Sequence, residues 1–386
     1  MVDEVAKSLK LNRNLSNNLA KAIELDRAIK IGWGAQGDAK PKEGELGIAS
    51  HLPKGARVRL LGNLGDFTAA CCKGGTFTLE GNALGWFGAF SSEGRLVVER
   101  DAGVRCGHGM TGGRIFCQGS VGDEAGASLD GGTVIVRGHA GQRTGIGMKN
   151  GLIVIVGDCK ADAGQGMTGG RIVVDGRCLP EGDGAKQRTL TKAEHKEING
   201  MLKEHDLSVS EDAVLIEADD ERAIPATPPM QTVWGDFAEI GLISGETPID
   251  ASSPIDAVTL ITRGEEEDGI VFPLPVMLQL ESGKGLTGAL LSEQPCMVDC
   301  DPREIDLVRI GESNIADADT LLSPAAGIVL DLEDLPPLHD GEILALLTGL
   351  RSHLGDEKPV LIAGRVDRVA NLHRMLRDQP LDGVLV

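Results

Sequence analysis

Between residues 75 and 178 the chain alternates short apolar runs with glycine at a fixed step. The runs are Thr76–Leu79, Arg95–Val98, Arg114–Cys117, Thr133–Val136, Leu152–Val156 and Arg171–Val174. Each follows directly on a glycine, and these six glycines (Gly75, Gly94, Gly113, Gly132, Gly151, Gly170) lie 19 residues apart. Short runs of β-branched and aliphatic residues bounded by turn formers predict strands. Two further series keep the same step: Gly88, Gly107, Gly126, Gly145 and Gly164, then Gly119, Gly138, Gly157 and Gly176. The heptapeptide Gly-Met-Thr-Gly-Gly-Arg-Ile at 109–115 returns at 166–172, three periods later. A repeat held in three registers is an architecture, and it is read before any single element.

A nineteen-residue unit is too short for a βαβ unit, which needs about 30 residues. It can hold one coil of short strands joined by glycine corners, where a positive φ or a close backbone approach excludes a Cβ. Stacking pairs each strand with its copy in the next coil about 4.8 Å away, so six coils make a rod of roughly 29 Å. The predicted fold over 56–180 is therefore a right-handed, single-stranded parallel β-helix filled with Val, Ile, Leu and Met.

The flanks carry other patterns. Residues 1–55 read as a helical lead-in. Thr191 and Glu194 form a capping box that opens a helix through about His205, with Ile198, Met201 and Leu202 as its apolar stripe. The stretch 206–250 is acidic and proline-containing and reads as a linker or extended arm, so that 181–254 holds a capping helix and an acidic linker. Residues 255–386 form a small α/β domain. Ile270–Leu280 is strand-like but broken by Pro273 and Pro275. Then Gly327–Leu332, Pro359–Ala363 and Asp382–Val386 read as strands alternating with helices at Asp340–Leu354 and Val366–Leu376, which implies a parallel sheet.

Composition narrows the classes of function. Of 386 residues, 53 are Gly and 3% are aromatic, which suits tight turns and small aliphatic layers. The net charge of −20 repels a phosphate backbone and anionic lipid, so neither nucleic acid nor membrane is an expected partner. No run approaches the length of a membrane span, and the first residues have no apolar signal core, so a cytoplasmic protein is expected. The eight cysteines make no disulfide-dense pattern and read as free thiols.

Candidate chemistry yields no convergent site. Cys71-Cys72, read as neighbours on a strand, point to opposite faces and cannot share one ion; core filling is their expected role. Cys106 and His108 lack a second ligand pair, and Cys296 and Cys300 lack the CxxC spacing. Ser128 stands where other coils carry Gly and is expected to be a small corner residue. Asp123-Glu124 and Gln142-Arg143 occupy one corner in neighbouring coils and read as solvated. The glycine runs precede strands, whereas a phosphate loop must open a helix. Met1-Val2 departs from the N-terminal Cys nucleophile of glutaminases. The expected catalytic, cofactor-binding and metal-ligating residues of this chain are none.

The alternation Gly-x-x-x-Gly-x-x-Met-x-Gly-Gly-x-Ile-x-Val-x-Gly is kept by Gly103–Gly119 with Cys117 for the Val. Gly122–Gly138 keeps it with Leu129 for the Met and Val134 for the Ile. This pattern resembles the GXGXG domain. That module closes the large subunit of glutamate synthase, and it stands alone as a small subunit of N-methylglutamate synthase and as a scaffold subunit of formylmethanofuran dehydrogenase. Leu11–Ile23 is similar to the lead-in of the same domain, and the resemblance covers roughly residues 10–210. More weakly, Lys358–Gly364, Leu381–Val384, Phe237–Pro248 and Pro273–Leu278 resemble pieces of the FMN-binding (β/α)₈ barrel of glutamate synthases, in a truncated and flavin-free form.

The resemblance implies a non-catalytic architectural subunit of a multi-subunit glutamate synthase-like amidotransferase or synthase complex. Its implied partners are a glutaminase-like subunit and an FMN-dependent synthase subunit that holds an iron–sulfur cluster, in a hetero-oligomer that frames an ammonia path. The alternatives are a scaffold within a formylmethanofuran dehydrogenase or formyltransferase/hydrolase complex, and an independent enzyme with its site in 255–386.

Overall fold

A computed structural model describes residues 2–34, 41 and 43–219, and beyond them 240–244, 257–263, 271–272, 276–282, 285–290, 296–297, 306–310, 327–332, 335, 338–354, 360–363 and 383–385. The chain forms two compact units, Glu4–Thr227 with His339–Ala345, and Pro228–Leu338 with Leu346–Val386 and Met1–Asp3.

The first unit is a parallel β-solenoid. Strands β2 (Arg57–Leu61), β3 (Lys73–Glu80), β4 (Glu93–Val98), β5 (Arg114–Cys117), β6 (Asp130–Val136), β7 (Asn150–Ile155) and β8 (Arg171–Val174) each pair in parallel with the next. The register offset is the sequence period: Val58, Phe77, Leu96, Ile115, Val134, Ile153 and Ile172 stand in one column. Two residues on, Leu60, Leu79, Val98, Cys117, Val136, Ile155 and Val174 make a second column. Both columns are buried and form the solenoid core, because alternate residues of a strand share a face.

Both ends of the solenoid are closed, by devices without the 19-residue period. At the first end β1 (Ile29–Ile31) pairs with β2. Helix α1 (Val2–Glu24) sets Leu11, Leu15, Leu19 and Ile23, one turn apart, against the core. Asn12 fastens it, its amide donating to the Gly47 carbonyl at 3.1 Å while its Oδ1 accepts from the Ala49 N–H at 3.2 Å. At the far end β10 (Val214–Ala218) inserts antiparallel between β8 and β9 (Ala185–Thr189). The linker expected over 206–250 is corrected at Val214–Ala218, while 220–239 and 245–250 lie outside the described residues. Its apolar run Val214-Leu215-Ile216 pairs with Val174, Val173 and Ile172, and Leu215 and Ile216 are fully buried. Acidic neighbours hid a strand whose pairing covers an edge that would otherwise stay open.

Helix α2 (Lys192–Leu202) starts at the predicted capping box and ends in a 3₁₀ turn, Lys203–His205. Ile198 and Leu202 pack on Phe116, Ile135, Val154 and Val173, the outward row of β5–β8. Glu204 reaches Arg95 and Arg114, and Glu197 reaches Arg171, so acidic residues of the helix region meet arginines on the strand face.

In the second unit β11 (Ile240–Ser244), β12 (Ala257–Arg263), β14 (Val276–Ser282), β15 (Gly285–Leu290), β17 (Asp306–Ile310), β18 (Gly327–Asp331), β19 (Val360–Ala363) and β20 (Gly383–Leu385) form one sheet in that order. β13 (Val271–Phe272) and β16 (Cys296–Met297) pair separately. The large sheet is mixed: β14–β15 and β15–β17 are antiparallel and the other neighbours parallel, so it differs from an all-parallel (β/α)₈ arrangement. Helix α3 (Asp340–Leu354), whose residues up to Ala345 are counted with the first unit and the rest with the second, buries Ile343, Leu346, Leu347 and Leu350. The helix expected over Val366–Leu376 lies outside the described residues. Among the described residues no helix is long and apolar enough to cross a membrane.

Candidate functional site: the solenoid corners

Each coil turns through a corner where three residues, two apart, hold a positive φ; in one coil they are Arg105, Gly107 and Gly109. The three differ in where a side chain would go. In six successive coils the first is not glycine: Phe67, Trp86, Arg105, Glu124, Arg143 and Asp162 have φ between 51° and 65° and succeed each other every 19 residues, whereas the coil before them has Gly47 there, at φ 63°. The third admits both kinds, with Cys71, Phe90 and Ser128 at φ 56°, 58° and 53° beside Gly109, Gly147 and Gly166.

The first position builds a side-chain ladder along one edge of the rod. Phe67 stacks on Trp86 with ring centroids 5.2 Å apart, and the Arg105 guanidinium lies 4.7 Å over the Trp86 ring. Arg105 Nε donates to Glu124 at 2.6 Å, and Arg143 donates to the other oxygen of Glu124, also at 2.6 Å. The π-stack, cation–π contact and two charge-assisted hydrogen bonds thus join five consecutive coils. This corrects the solvated-corner reading for Glu124, whose side chain keeps only 14% of its exposure between the two arginines; Arg143 keeps 46%. Asp123 is engaged as well, its Oδ1 accepting from the Gln142 N–H at 2.8 Å.

His108 lies against this ladder, its ring 4.7 Å from Trp86 and 5.2 Å from Phe90, edge-on to both. It is 5% exposed and its Nδ1 has no hydrogen-bond partner among the described residues. Burial, reinforced by the Arg105 charge, pushes its pKa down to about 3, so it is neutral at ordinary pH.

A second ladder runs along another corner. Asn63, Asn82, Asp101, Ser120, His139 and Asp158 share no chemistry except a short side chain that accepts a hydrogen bond. Each accepts from the backbone N–H of the residue 19 positions later: Asn82 to Asn63 at 3.0 Å, Asp101 to Asn82 at 3.1 Å, Ser120 to Asp101 at 2.7 Å, His139 to Ser120 at 3.1 Å. His139 Nδ1 then accepts from Asp158 at 2.8 Å, and Asp158 from Arg177 at 2.9 Å. Neither ladder was foreseen from the residues. Their common signal, a residue class kept at the period while its identity changes, was in the sequence.

Cys71 and Cys72 do not lie on a strand. Cys71 turns the corner at φ 56° and Cys72 enters the core in the column of Met110, Leu129, Met148 and Met167, and both are buried. Burial raises their thiol pKa values, that of Cys72 to about 12. Cys106 and Cys117 are likewise buried inside the solenoid, Cys117 at about 12. Cys159 rises to about 11 for the same reason. Thiols this basic are poor nucleophiles and poor metal ligands at neutral pH. Ser128 sits at its corner half-buried. Cys296 falls on β16, and Cys300 lies outside the described residues. Among the described residues no three of His, Cys, Asp and Glu gather closely enough to hold a metal ion.

A family model for the GXGXG motif matches residues 44–212. No curated protein matches the chain. The matched segment takes in β2 to β9, both corner ladders and helix α2. Residues 44–212 of this chain are a GXGXG domain.

Proposed function

We propose that this chain is an architectural subunit of a multi-subunit glutamate synthase-like amidotransferase or synthase complex. It braces a glutaminase-like subunit against an FMN-dependent synthase subunit that holds the iron–sulfur cluster. The observation that carries this reading is what the solenoid does with its chemically able side chains. The thiols fill the core, Glu124 and the arginines beside it link coil to coil, and the Asn, Asp, Ser and His column anchors backbone N–H groups. A stack fastened along two of its corners resists deformation, and a stiff spacer holds two catalytic subunits at a fixed separation. Such a spacer can also wall a passage between them, which an ammonia-transferring complex requires.

The test is isolation of the native complex, with a visible spectrum, metal analysis and identification of the co-purifying chains. Flavin absorption and iron on a partner chain support the proposal. Molybdenum or tungsten in the complex replaces it with a formylmethanofuran dehydrogenase-like scaffold. Turnover by the isolated chain overturns it.

A further inference from the structure

The sequence holds two Asn-Gly dipeptides, Asn150-Gly151 and Asn199-Gly200, and the fold treats them in opposite ways. Asn150 is exposed at the start of β7, and the Gly151 N–H donates to the side-chain oxygen of its neighbour, Asn150 Oδ1, at 2.8 Å. The backbone nitrogen of Gly151 is thereby set against the side-chain carbonyl group of Asn150. Gly151 holds φ 93°, and as a glycine it brings no side chain to shield the approach. Asn199 lies inside α2 with its amide held at both ends: Oδ1 accepts from the Val209 N–H at 2.8 Å and Nδ2 donates to the Val209 carbonyl at 3.1 Å.

We infer that Asn150 is a site of spontaneous backbone-assisted deamidation, and that Asn199 is protected. The deprotonated Gly151 nitrogen attacks Asn150 Cγ, forming a C–N bond and a five-membered imide. The Cγ–Nδ2 bond breaks, and the leaving nitrogen takes protons from water to depart as ammonia. Water then opens the imide at either carbonyl. Opening at the backbone carbonyl side of the ring nitrogen leaves isoaspartate, with one extra methylene in the main chain, and opening at Cγ leaves aspartate. The net change is amide plus water to carboxyl plus ammonia, with no oxidant or cofactor. Holding nucleophile and carbonyl together removes much of the entropy cost of the attack.

The location gives the reaction a consequence for the rod. In the sheet register Asn150 stands opposite Asp130 of the preceding coil. Deamidation puts a second carboxylate directly across from the first, and like charges in that relation repel. The isoaspartate product also lengthens the chain at the entry to β7, where the register with β6 already shifts between Asp130 and Thr133. The modification therefore loosens the junction between the β6 and β7 coils.

The experiment incubates the intact chain at mildly alkaline pH and maps its peptides over time, scoring the mass gain and the isoaspartyl content at both sites. A chain unfolded in urea is run in parallel. Conversion at Asn150 at least about tenfold faster than at Asn199 in the folded chain, with the two equal in the unfolded chain, is the expected result. Folded-state conversion of Asn150 that is less than about tenfold faster than Asn199, or slower than in urea, overturns the inference. The consequence is checked separately with Asn150→Asp. Its Tm should fall below that of Asn150→Gln, and equal values refute the repulsion from Asp130.

Discussion

Replacing Gly132 by alanine places a Cβ 2.7 Å from the carbonyl oxygen of Gly113 and 2.8 Å from the carbonyl carbon of Gly112, at a φ of 82°. Two costs add. A left-handed non-glycine residue costs about 1–2 kcal/mol. The steric term is a clash with the backbone of the preceding coil, which cannot turn aside as a side chain would, and overpacking of this kind costs about 1–3 kcal/mol. Less about 0.4–1 kcal/mol of lost unfolded-state freedom, which any Gly→Ala change brings, the net is about 1–4.6 kcal/mol. Gly166 supplies the control. Its φ is 65°, but a Cβ there meets no atom within 4 Å, and the same corner position carries Phe90 and Ser128 in other coils. Gly166→Ala therefore meets the conformational term alone, offset by the same roughly 0.4–1 kcal/mol of lost unfolded-state freedom, and should cost about 0–1.6 kcal/mol. Urea titration of the full chain, followed by far-ultraviolet circular dichroism, reads both variants as midpoint shifts at constant slope. Gly132→Ala should shift the solenoid transition well beyond Gly166→Ala. Equal shifts, or the reverse order, would refute the assignment of the 75–170 glycine column to close coil-to-coil packing.

Two further outcomes follow from the corner chemistry. His108 takes its proton at about pH 3 in the folded chain, against 6.5 for an ordinary histidine, so between these values the unfolded state binds more protons. Stability should therefore fall as pH drops through that window, by up to about 1.4 kcal/mol per pH unit. His108→Leu should flatten the acid limb of Tm against pH, and parallel curves for the two proteins would exclude His108 as its source. Glu124→Ala leaves Arg105 and Arg143 facing each other without their shared acceptor and should cost about 1–3 kcal/mol. Arg143→Ala, whose side chain is half exposed, should cost about 0–1 kcal/mol; thermal melts ranking the two the other way would break the ladder argument.

The 19-residue period was enough to place the solenoid, because each coil contacts only its neighbours and the geometry of one coil becomes the repeat of the sequence. The inward columns followed from the same logic, since the period and the alternation of a strand together decide which residues face the core. Thr191 and Glu194 fixed the start of α2 because a capping box is a local device that needs no distant partner. The ladders were harder to see. Phe67, Trp86, Arg105, Glu124 and Arg143 keep the period while changing chemistry at every step, and only the stacked coils show that each side chain meets the next. The end caps lay beyond reach for a stronger reason. Val214–Ala218 reads as part of an acidic arm until it pairs antiparallel with β8 and β9, and α1 is an ordinary amphipathic helix until Leu15 meets the open end of the core. A repeat is written locally and can be read locally. The residues that end it are chosen by the surface they cover, and that surface exists only once the coils have stacked.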